Sequence, residues 1–129
     1  MELNLTNPIC FFDLETSGTN VAKDRIVEIA ILKVFPNGNK ESKTWLVNPE
    51  MPMPKEVVAI HGITDEKVAN EPVFAEIADD FWAFIAGAEL VIHNAAFDVG
   101  FIDHELMMLN KKRRESVLGP VAAHCRILD

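Results

Sequence analysis

Two carboxylates lie close together near the start of the chain, on either side of Leu14. The short apolar run before them follows a proline and predicts a buried strand from Pro8 to Leu14. Because residues two apart on a strand point to the same face, Asp13 and Glu15 are expected to face one way and Leu14 the other. Two like charges at the end of a buried strand repel each other unless a cation lies between them, and such oxygen ligands suit Mg²⁺ or Mn²⁺. An ordinary turn cap would also explain the pair, and the pair taken alone favours that simpler interpretation.

A third carboxylate, Asp98, changes this balance. It lies in the first turns of a predicted helix, directly after a predicted strand at 89–93. A carboxylate at that position also commonly complements the helix dipole. If the strand at 89–93 lies beside the first strand, however, Asp98 reaches the same sheet edge as Asp13 and Glu15. Three carboxylates with Mg²⁺ or Mn²⁺ are the ingredients of two-metal phosphoryl transfer.

The elements that position these side chains can be predicted from hydrophobic periodicity and turn residues. The predicted strands cover residues 8–14, 25–35, 43–47, 89–93 and 121–128, and the predicted long helices cover 72–86 and the segment after Asn94. The turn at 36–39 makes the second and third strands an antiparallel hairpin, and a short helix is expected before His61. Three strands in an antiparallel meander followed by parallel crossovers predict an α/β fold with a mixed sheet flanked by helices.

The composition is that of an ordinary globular chain. The 129 residues are 49% apolar and 25% charged, which suits a single domain over residues 1–129 and excludes intrinsic disorder. No apolar run approaches the roughly 20 residues of a membrane span, and the N-terminus does not resemble a secretory signal. Cys10 and Cys125 lack metal-ligand spacing, so we expect free thiols and a cytoplasmic location. The net charge of −8 argues against broad phosphate binding, so any nucleic-acid contact is expected to be local or bridged by metal ions.

Four segments, in order along the chain, resemble the motifs of a known family. Residues 11–18, Phe-Phe-Asp-Leu-Glu-Thr-Ser-Gly, resemble the first motif of the DEDD-superfamily 3′–5′ exonucleases, and residues 92–101, Ile-His-Asn-Ala-Ala-Phe-Asp-Val-Gly-Phe, resemble the second. The segments at 25–29 and 60–64 fit the same superfamily, and the histidines favour its DEDDh type. Within it, the sequence most resembles the proofreading subunits of bacterial DNA polymerase III. The resemblance implies an RNase H-like fold and a metal-dependent 3′–5′ exonuclease.

The resemblance also implies roles for individual residues. Asp13, Glu15 and Asp98 would be the catalytic carboxylates and would hold two Mg²⁺ or Mn²⁺ ions. The residues implied to contact the terminal nucleotide are Thr16, Glu56, His61, Asn94 and Phe97. One ion would activate water, and the other would stabilise the leaving 3′-oxygen. The implied partners are a single-stranded or frayed 3′ DNA end and a replicative DNA polymerase subunit, with no role for a membrane.

The family's third motif, His-x-x-x-x-Asp, supplies the general base. His124 and Asp129 have this spacing, but they follow Asp98 too closely, and on the predicted strand residues five apart point to opposite faces. The predicted last strand also has no helix after it to cover the sheet. We therefore expect the chain to be truncated at its C-terminus, to lack the base, and to be inactive or nearly so by itself.

Two alternatives remain open from the sequence. RNA is the first alternative substrate, as in exoribonucleases of the same superfamily, and oligomers with and without the 2′-OH would separate the two cases. The second alternative is a catalytically silent module that docks on a polymerase. The three carboxylates argue against it, because such charges are costly to keep together without a cation.

Overall fold

The computed structural model describes residues 6–113 and 118–128, which form one mixed sheet and its covering helices. In chain order the elements are β1 (Ile9–Thr16), β2 (Ile26–Val34), β3 (Lys40–Leu46), α1 (Lys55–His61), α2 (Asp65–Val68), α3 (Phe74–Ile85), β4 (Glu89–Ile92), α4 (Ala95–Arg113), α5 (Val121–His124) and β5 (Arg126–Leu128).

The sheet has the strand order β3-β2-β1-β4-β5. β1 pairs antiparallel with β2, and β2 pairs antiparallel with β3, which confirms the predicted meander. The β2–β3 turn places Gly38 at φ +88°, a left-handed conformation that glycine adopts without strain, and the Phe35 N–H donates to the Asn39 carbonyl at 2.8 Å. β4 pairs parallel with both β1 and β5, which confirms the predicted crossovers.

The main core lies between one face of this sheet and the helices α3 and α4. Cys10, Phe12 and Leu14 alternate along β1 toward this core. Phe81 of α3 is fully buried, and its ring meets the Phe12 ring edge-to-face at 6.0 Å between centroids. The residues whose spacing of three and four predicted α3 are therefore largely the ones that face the sheet. The buried residues of α3 are Phe74, Ile77, Ala78, Phe81 and Ile85.

The opposite face of the sheet is less covered among the described residues. Phe11 of β1 and Leu32 of β2 are direct cross-strand partners, and they are 43% and 36% exposed. This exposure marks the face onto which Asp13 also projects, because Asp13 lies two residues after Phe11 on the same strand.

α4 is the longest helix and begins where sequence periodicity predicted it. Asn94, at φ +58°, turns the chain out of β4, and its backbone carbonyl accepts hydrogen bonds from the N–H groups of Phe97 and Asp98. The apolar side chains that α4 buries against the sheet are Phe101, Ile102, Leu106 and Leu109. Among the described residues, no helix combines the length and apolar character needed to cross a membrane.

The expected short helix before His61 is α1, and it ends at Gly62 with φ +73°. α2 follows it at once and was not predicted; the Thr64 hydroxyl caps it by accepting a hydrogen bond from the Lys67 N–H. A small cluster of buried apolar side chains attaches α2 to β2, and the partly buried Val58 of α1 packs against it. Its members are Val27, Met53, Ile63 and Val68.

The predicted strand over 121–128 is wrong in its first half. Val121–His124 forms the helix α5, and only Arg126–Leu128 forms β5. Pro120 precedes the helix with a φ of −67°, where its fixed φ and missing N–H suit a helix start, and Asp103 accepts a hydrogen bond from the Val121 N–H at 2.8 Å. A short apolar run does not by itself distinguish a strand from a helix, which is why its periodicity misled the prediction.

Candidate active site

Asp13 and Glu15 occupy the carboxyl-terminal end of β1. Asp13 is exposed and Glu15 is partly buried, while Leu14 between them is buried in the core. The predicted alternation is therefore present. The register between β1 and β2 shifts just after Glu15, at an irregularity between Glu15 and Thr16. Such an irregularity locally bends the strand at the point where the carboxylates emerge.

Asp98 reaches this edge because β4 lies parallel to β1. The last pair in their register joins Phe12 to Ile92, so β1 delivers Asp13 at the same edge where the chain leaves β4 for α4. Asp98 lies in the first turn of α4 and is only 8% exposed. Its burial at the end of two parallel strands follows from the crossover topology.

The three carboxylates at this edge affect one another's pKa values. Burial and the negative charges of Asp13 and Glu15 raise the pKa of Asp98 to about 6, and His93 opposes this rise. Burial, followed by the charge of Asp13, raises the pKa of Glu15, while His61 nearby lowers it. A cluster in which each ionised carboxylate resists the ionisation of the next is stabilised by a bound cation.

The donor set at this edge fits Mg²⁺ or Mn²⁺, since carboxylate oxygens are the ligands these hard ions prefer. Over residues 6–113 and 118–128, however, no three His, Cys, Asp or Glu side chains stand close enough to form a ready-made cation cage. Asp13, Glu15 and Asp98 thus share one edge and act on one another's ionisation without closing to ligand geometry.

A cavity of about 160 Å³ adjoins Glu15. Three of the predicted nucleotide-contacting residues line it together: Thr16 at the end of β1, His61 at the end of α1, and Phe97 in the first turn of α4. The Phe97 ring lies 4.9 Å from the Phe101 ring between centroids, which fixes its orientation above the core. An aromatic face, a backbone turn and an imidazole therefore surround one small space beside the carboxylates.

His61, which lines this cavity, has an unused hydrogen-bond donor. Its Nδ1 accepts the Ile63 N–H at 3.0 Å, which in the neutral ring leaves the proton on Nε2. Nε2 is buried and has no hydrogen-bond partner among the described residues. A buried donor without a partner costs free energy that a bound acceptor would recover.

Glu56 and Asn94, the other two predicted contacts, do not line this cavity. Glu56 is exposed in the first turn of α1, and Asn94 is exposed at the start of α4, where its backbone carbonyl has a capping role. The structure instead adds Val57 and Ile60 of α1 to the lining. Ile60 is 83% exposed, and the spacing of Val57, Ile60 and His61 along one helix face is the signal that would have found them.

His124 lies outside this constellation, in α5. Its ring stacks on the Trp82 ring at 3.9 Å between centroids, and its Nε2 lies 3.1 Å from the Trp82 carbonyl oxygen. It stands on a helix and not on the predicted strand, so the face argument used against it does not apply. Its contacts with Trp82 occupy the ring instead, and Asp129 lies outside the described residues.

Comparison with known proteins identifies the family of this chain. The sequence model of the Exonuclease family (RNase_T) matches residues 10–123. The chain is 36% identical to the DNA polymerase III subunit epsilon of Buchnera aphidicola (subsp. Schizaphis graminum) over 98% of its own length and 55% of that protein. It is 41% identical to the Escherichia coli subunit of the same name over 77% of its own length and 43% of that protein.

A solved structure shares the fold. Exonuclease I of E. coli, in complex with a dT13 oligonucleotide, superimposes with a TM-score of 0.79 and 20% sequence identity over 96% of this chain and 28% of that one. The chain spans about half the length of the curated relatives it matches. The match over residues 10–123, together with the order of motifs on the sheet edge, shows that this chain belongs to the Exonuclease family, within the DEDD superfamily.

Proposed function

We propose that this chain is the metal-binding part of a 3′–5′ exonuclease that removes nucleotides from DNA 3′ ends in proofreading. The observation that carries the proposal is the meeting of Asp13, Glu15 and Asp98 at one sheet edge, where burial, and after it the charges of Asp13 and Glu15, raises the pKa of Asp98. Curated relatives named DNA polymerase III subunit epsilon and the dT13-bound neighbour support DNA as the substrate and a replicative polymerase as the partner.

The three carboxylates have the metal-binding role in this proposal. Asp13, Glu15 and Asp98 would hold two Mg²⁺ or Mn²⁺ ions and so neutralise the charge of the scissile phosphate. When bound, these ions activate the attacking water and stabilise the leaving 3′-oxygen. Metal ions at the phosphate allow a chain with a net charge of −8 to hold DNA, because the cations and not the protein meet its negative charge.

The cavity beside Glu15 suits the terminal nucleotide. Phe97 offers a face on which a base can stack, and stacking is tolerant of base identity. The His61 Nε2–H would donate to an oxygen of the sugar or phosphate, which would satisfy a donor that is now buried without a partner. Glu56 and Asn94, which are exposed and do not line this cavity, stay proposed contacts to the rest of the terminal nucleotide.

The general base is the part of the mechanism that these residues leave open. We propose that the base comes from a His-x-x-x-x-Asp motif other than His124 and Asp129. His124 is not the base in this proposal, because its ring is held against Trp82. The 129-residue chain is accordingly expected to bind metal ions and a 3′ end while hydrolysing DNA slowly or not at all. Digestion of DNA by the chain at the rate of a complete exonuclease, abolished by Asp13→Ala, would contradict this.

Metal binding is the first test. Titration calorimetry of the chain with Mn²⁺ at pH 7.5 should detect binding, and Asp13→Asn should weaken it at least tenfold, because it removes an oxygen charge from the edge. Asp80→Asn is the matched control, since it removes the same charge from an exposed position on α3. If Asp13→Asn and Asp80→Asn bind Mn²⁺ equally, the carboxylate edge is not the metal site.

Recognition of the 3′ end is the second test. Fluorescence anisotropy in Mn²⁺ should show that the chain binds a single-stranded DNA 10-mer with a free 3′-OH more tightly than the same oligomer with a 3′-phosphate. Phe97→Ala should weaken binding of the oligomer with the free 3′-OH, since stacking contributes about 1–3 kcal/mol per base. Tighter binding to an RNA 10-mer of the same sequence would replace DNA by RNA as the proposed substrate. Equal binding to all three oligomers would indicate a non-catalytic module.

A further inference from the structure

Glu105 is a buried carboxylate of α4 that the site described above does not use. It is 3% exposed, and its oxygens accept three hydrogen bonds. Two come from the Arg25 guanidinium, from Nε at 2.9 Å and from Nη2 at 2.7 Å, and one comes from the Ile26 backbone N–H at 3.2 Å. A bidentate pair fixes the orientation of its partners as well as their distance. The contact therefore attaches α4 to the first residue of β2 and the residue before it.

This ion pair joins α4, which carries Asp98, to the start of β2, the antiparallel neighbour of the strand that carries Asp13 and Glu15. Glu105 lies two helical turns after Asp98, on the same buried face of α4, roughly 10 Å along the helix axis. Ile26, whose N–H Glu105 accepts, is the sheet partner of Thr16, beside the irregularity that follows Glu15. Glu105 thus holds α4 to the paired strands β1 and β2. The contact lies at Ile26, whose partner Thr16 directly follows the proposed metal ligand Glu15.

The loop between β1 and β2 provides a second connection to the same edge. The Arg25 N–H donates to Ser17 Oγ at 2.9 Å, and the Ser17 N–H donates to the Arg25 carbonyl at 2.9 Å. Ser17 is fully buried, and its hydroxyl also donates to Asp24 at 3.1 Å. Ser17 follows Glu15 by two residues, so these hydrogen bonds tie the backbone of Arg25 to the segment just after β1.

We propose that Arg25 and Glu105 are positioning residues of the carboxylate site, whose ion pair sets where α4 presents Asp98 relative to Asp13 and Glu15. The inference rests on the metal-binding function proposed above. Loss of groups that support metal ligands typically lowers metal affinity by about 10- to 100-fold. Because Glu105 acts through the helix and not through a hydrogen bond to a ligand, we expect a loss of about tenfold.

A role in stability alone makes a different prediction. Breaking a buried ion pair destabilises a protein, but a variant that remains mostly folded keeps nearly the same apparent Kd, since apparent affinity scales with the folded fraction. At about 90% folded, that scaling weakens the apparent Kd by only about 1.1-fold. A change of tenfold in Kd in a folded variant therefore reports on position and not on stability.

The test is calorimetric titration of the chain with Mn²⁺ at 15 °C, with circular dichroism to verify that each variant is folded. Glu105→Gln keeps the shape of the side chain but removes its charge and one of its two equivalent acceptors, and its Kd should be about tenfold weaker. Arg25→Lys keeps the positive charge but loses the bidentate geometry, and its Kd should also be weaker. Arg25→Lys decides the matter if Glu105→Gln does not fold.

Asp79→Asn is the matched control, because Arg113 and Asp79 form another bidentate pair that holds α4 to α3, with both distances at 3.0 Å. Its Mn²⁺ affinity should stay within twofold of the wild type. Wild-type affinity in folded Glu105→Gln and Arg25→Lys would overturn the inference, as would an equal loss in Asp79→Asn. If the wild type binds no Mn²⁺, or if Asp13→Asn binds as tightly as the wild type, the metal site itself is wrong and the inference falls with it.

Discussion

Replacement of Asp98 by Asn should stabilise the metal-free protein at neutral pH. In the folded chain the pKa of Asp98 is about 6, against an ordinary value of 3.8, so the folded state holds the proton more tightly than the unfolded state. The stabilisation that this proton provides is complete below pH 3.8. It is lost as the pH rises to 6, and above pH 6 the ionised carboxylate destabilises the fold by a constant amount. Asn has nearly the same shape and no charge to lose.

The size of the effect follows from the shift in pKa. A difference of about two pKa units corresponds to about 3 kcal/mol at pH 7.5, and linkage reduces this to about 1 kcal/mol at pH 4.5. Urea unfolding in EDTA at the two pH values should show Asp98→Asn more stable than the wild type, by a margin that grows with pH. If the free energy of unfolding falls by about 2 kcal/mol per molar urea, the difference of about 3 kcal/mol at pH 7.5 corresponds to a midpoint shift of about 1.5 M.

Two further measurements make the prediction specific. Saturating Mn²⁺ should stabilise the wild type more than Asp98→Asn, because a ligand that binds only the folded state adds about 2.7 kcal/mol at 100 times its Kd. Asp80→Asn, at an exposed position on α3, should show no pH-dependent margin. A margin for Asp98→Asn that does not vary with pH, or an Asn variant less stable than the wild type at pH 7.5 in EDTA, would refute the reasoning.

Three other outcomes are expected. Burial raises the pKa of Cys10 to about 11 and also raises that of Cys125, so both thiols should resist a disulfide reagent at pH 8 in the folded protein and react quickly in urea; rapid labelling without urea would contradict this. Phe81→Ala should cost about 3–5 kcal/mol in urea unfolding, since the ring is fully buried; a cost below 1 kcal/mol would show a tolerant core. Gly18→Ala should weaken Mn²⁺ binding in calorimetry, because its Cβ would clash with the Asp24 carboxylate; unchanged affinity would show that the loop adapts freely.

The antiparallel meander, the parallel crossovers and the alternation of Asp13, Leu14 and Glu15 were predictable from the sequence because they depend on local signals. Alternation along β1 separates Asp13 from Leu14, and apolar spacing defines α3 and α4. The crossover from β1 to β4 follows from the general handedness and order of α/β elements. These rules left one condition for Asp98 to reach the edge of Asp13 and Glu15, that β4 lies beside β1, and the structure pairs those two strands.

The parts that the sequence did not predict depend on contacts between distant segments. Glu105 and Arg25 are 80 residues apart, and each alone is typical of a solvated surface residue. The available signal is that Glu105 interrupts the apolar stripe of α4, between Phe101 and Leu109, where a charge must have a partner. α5 was missed because its short apolar run fits either kind of element.

The parallel pairing of β1 with β4 has a consequence for how this chain gains affinity for a cation while it folds. The hairpin of β1 and β2 is local, so it presents Asp13 and Glu15 early. Asp98 arrives only when β4 docks beside β1, which closes a loop of about eighty residues, and such closures are slow because their entropy is spent before contacts form. A refolding chain should therefore acquire Mn²⁺ affinity in two stages, weak with the hairpin and full with the docked strand. A bound ion would then stabilise the pairing of β1 with β4, and full Mn²⁺ affinity would mark the last stage of folding.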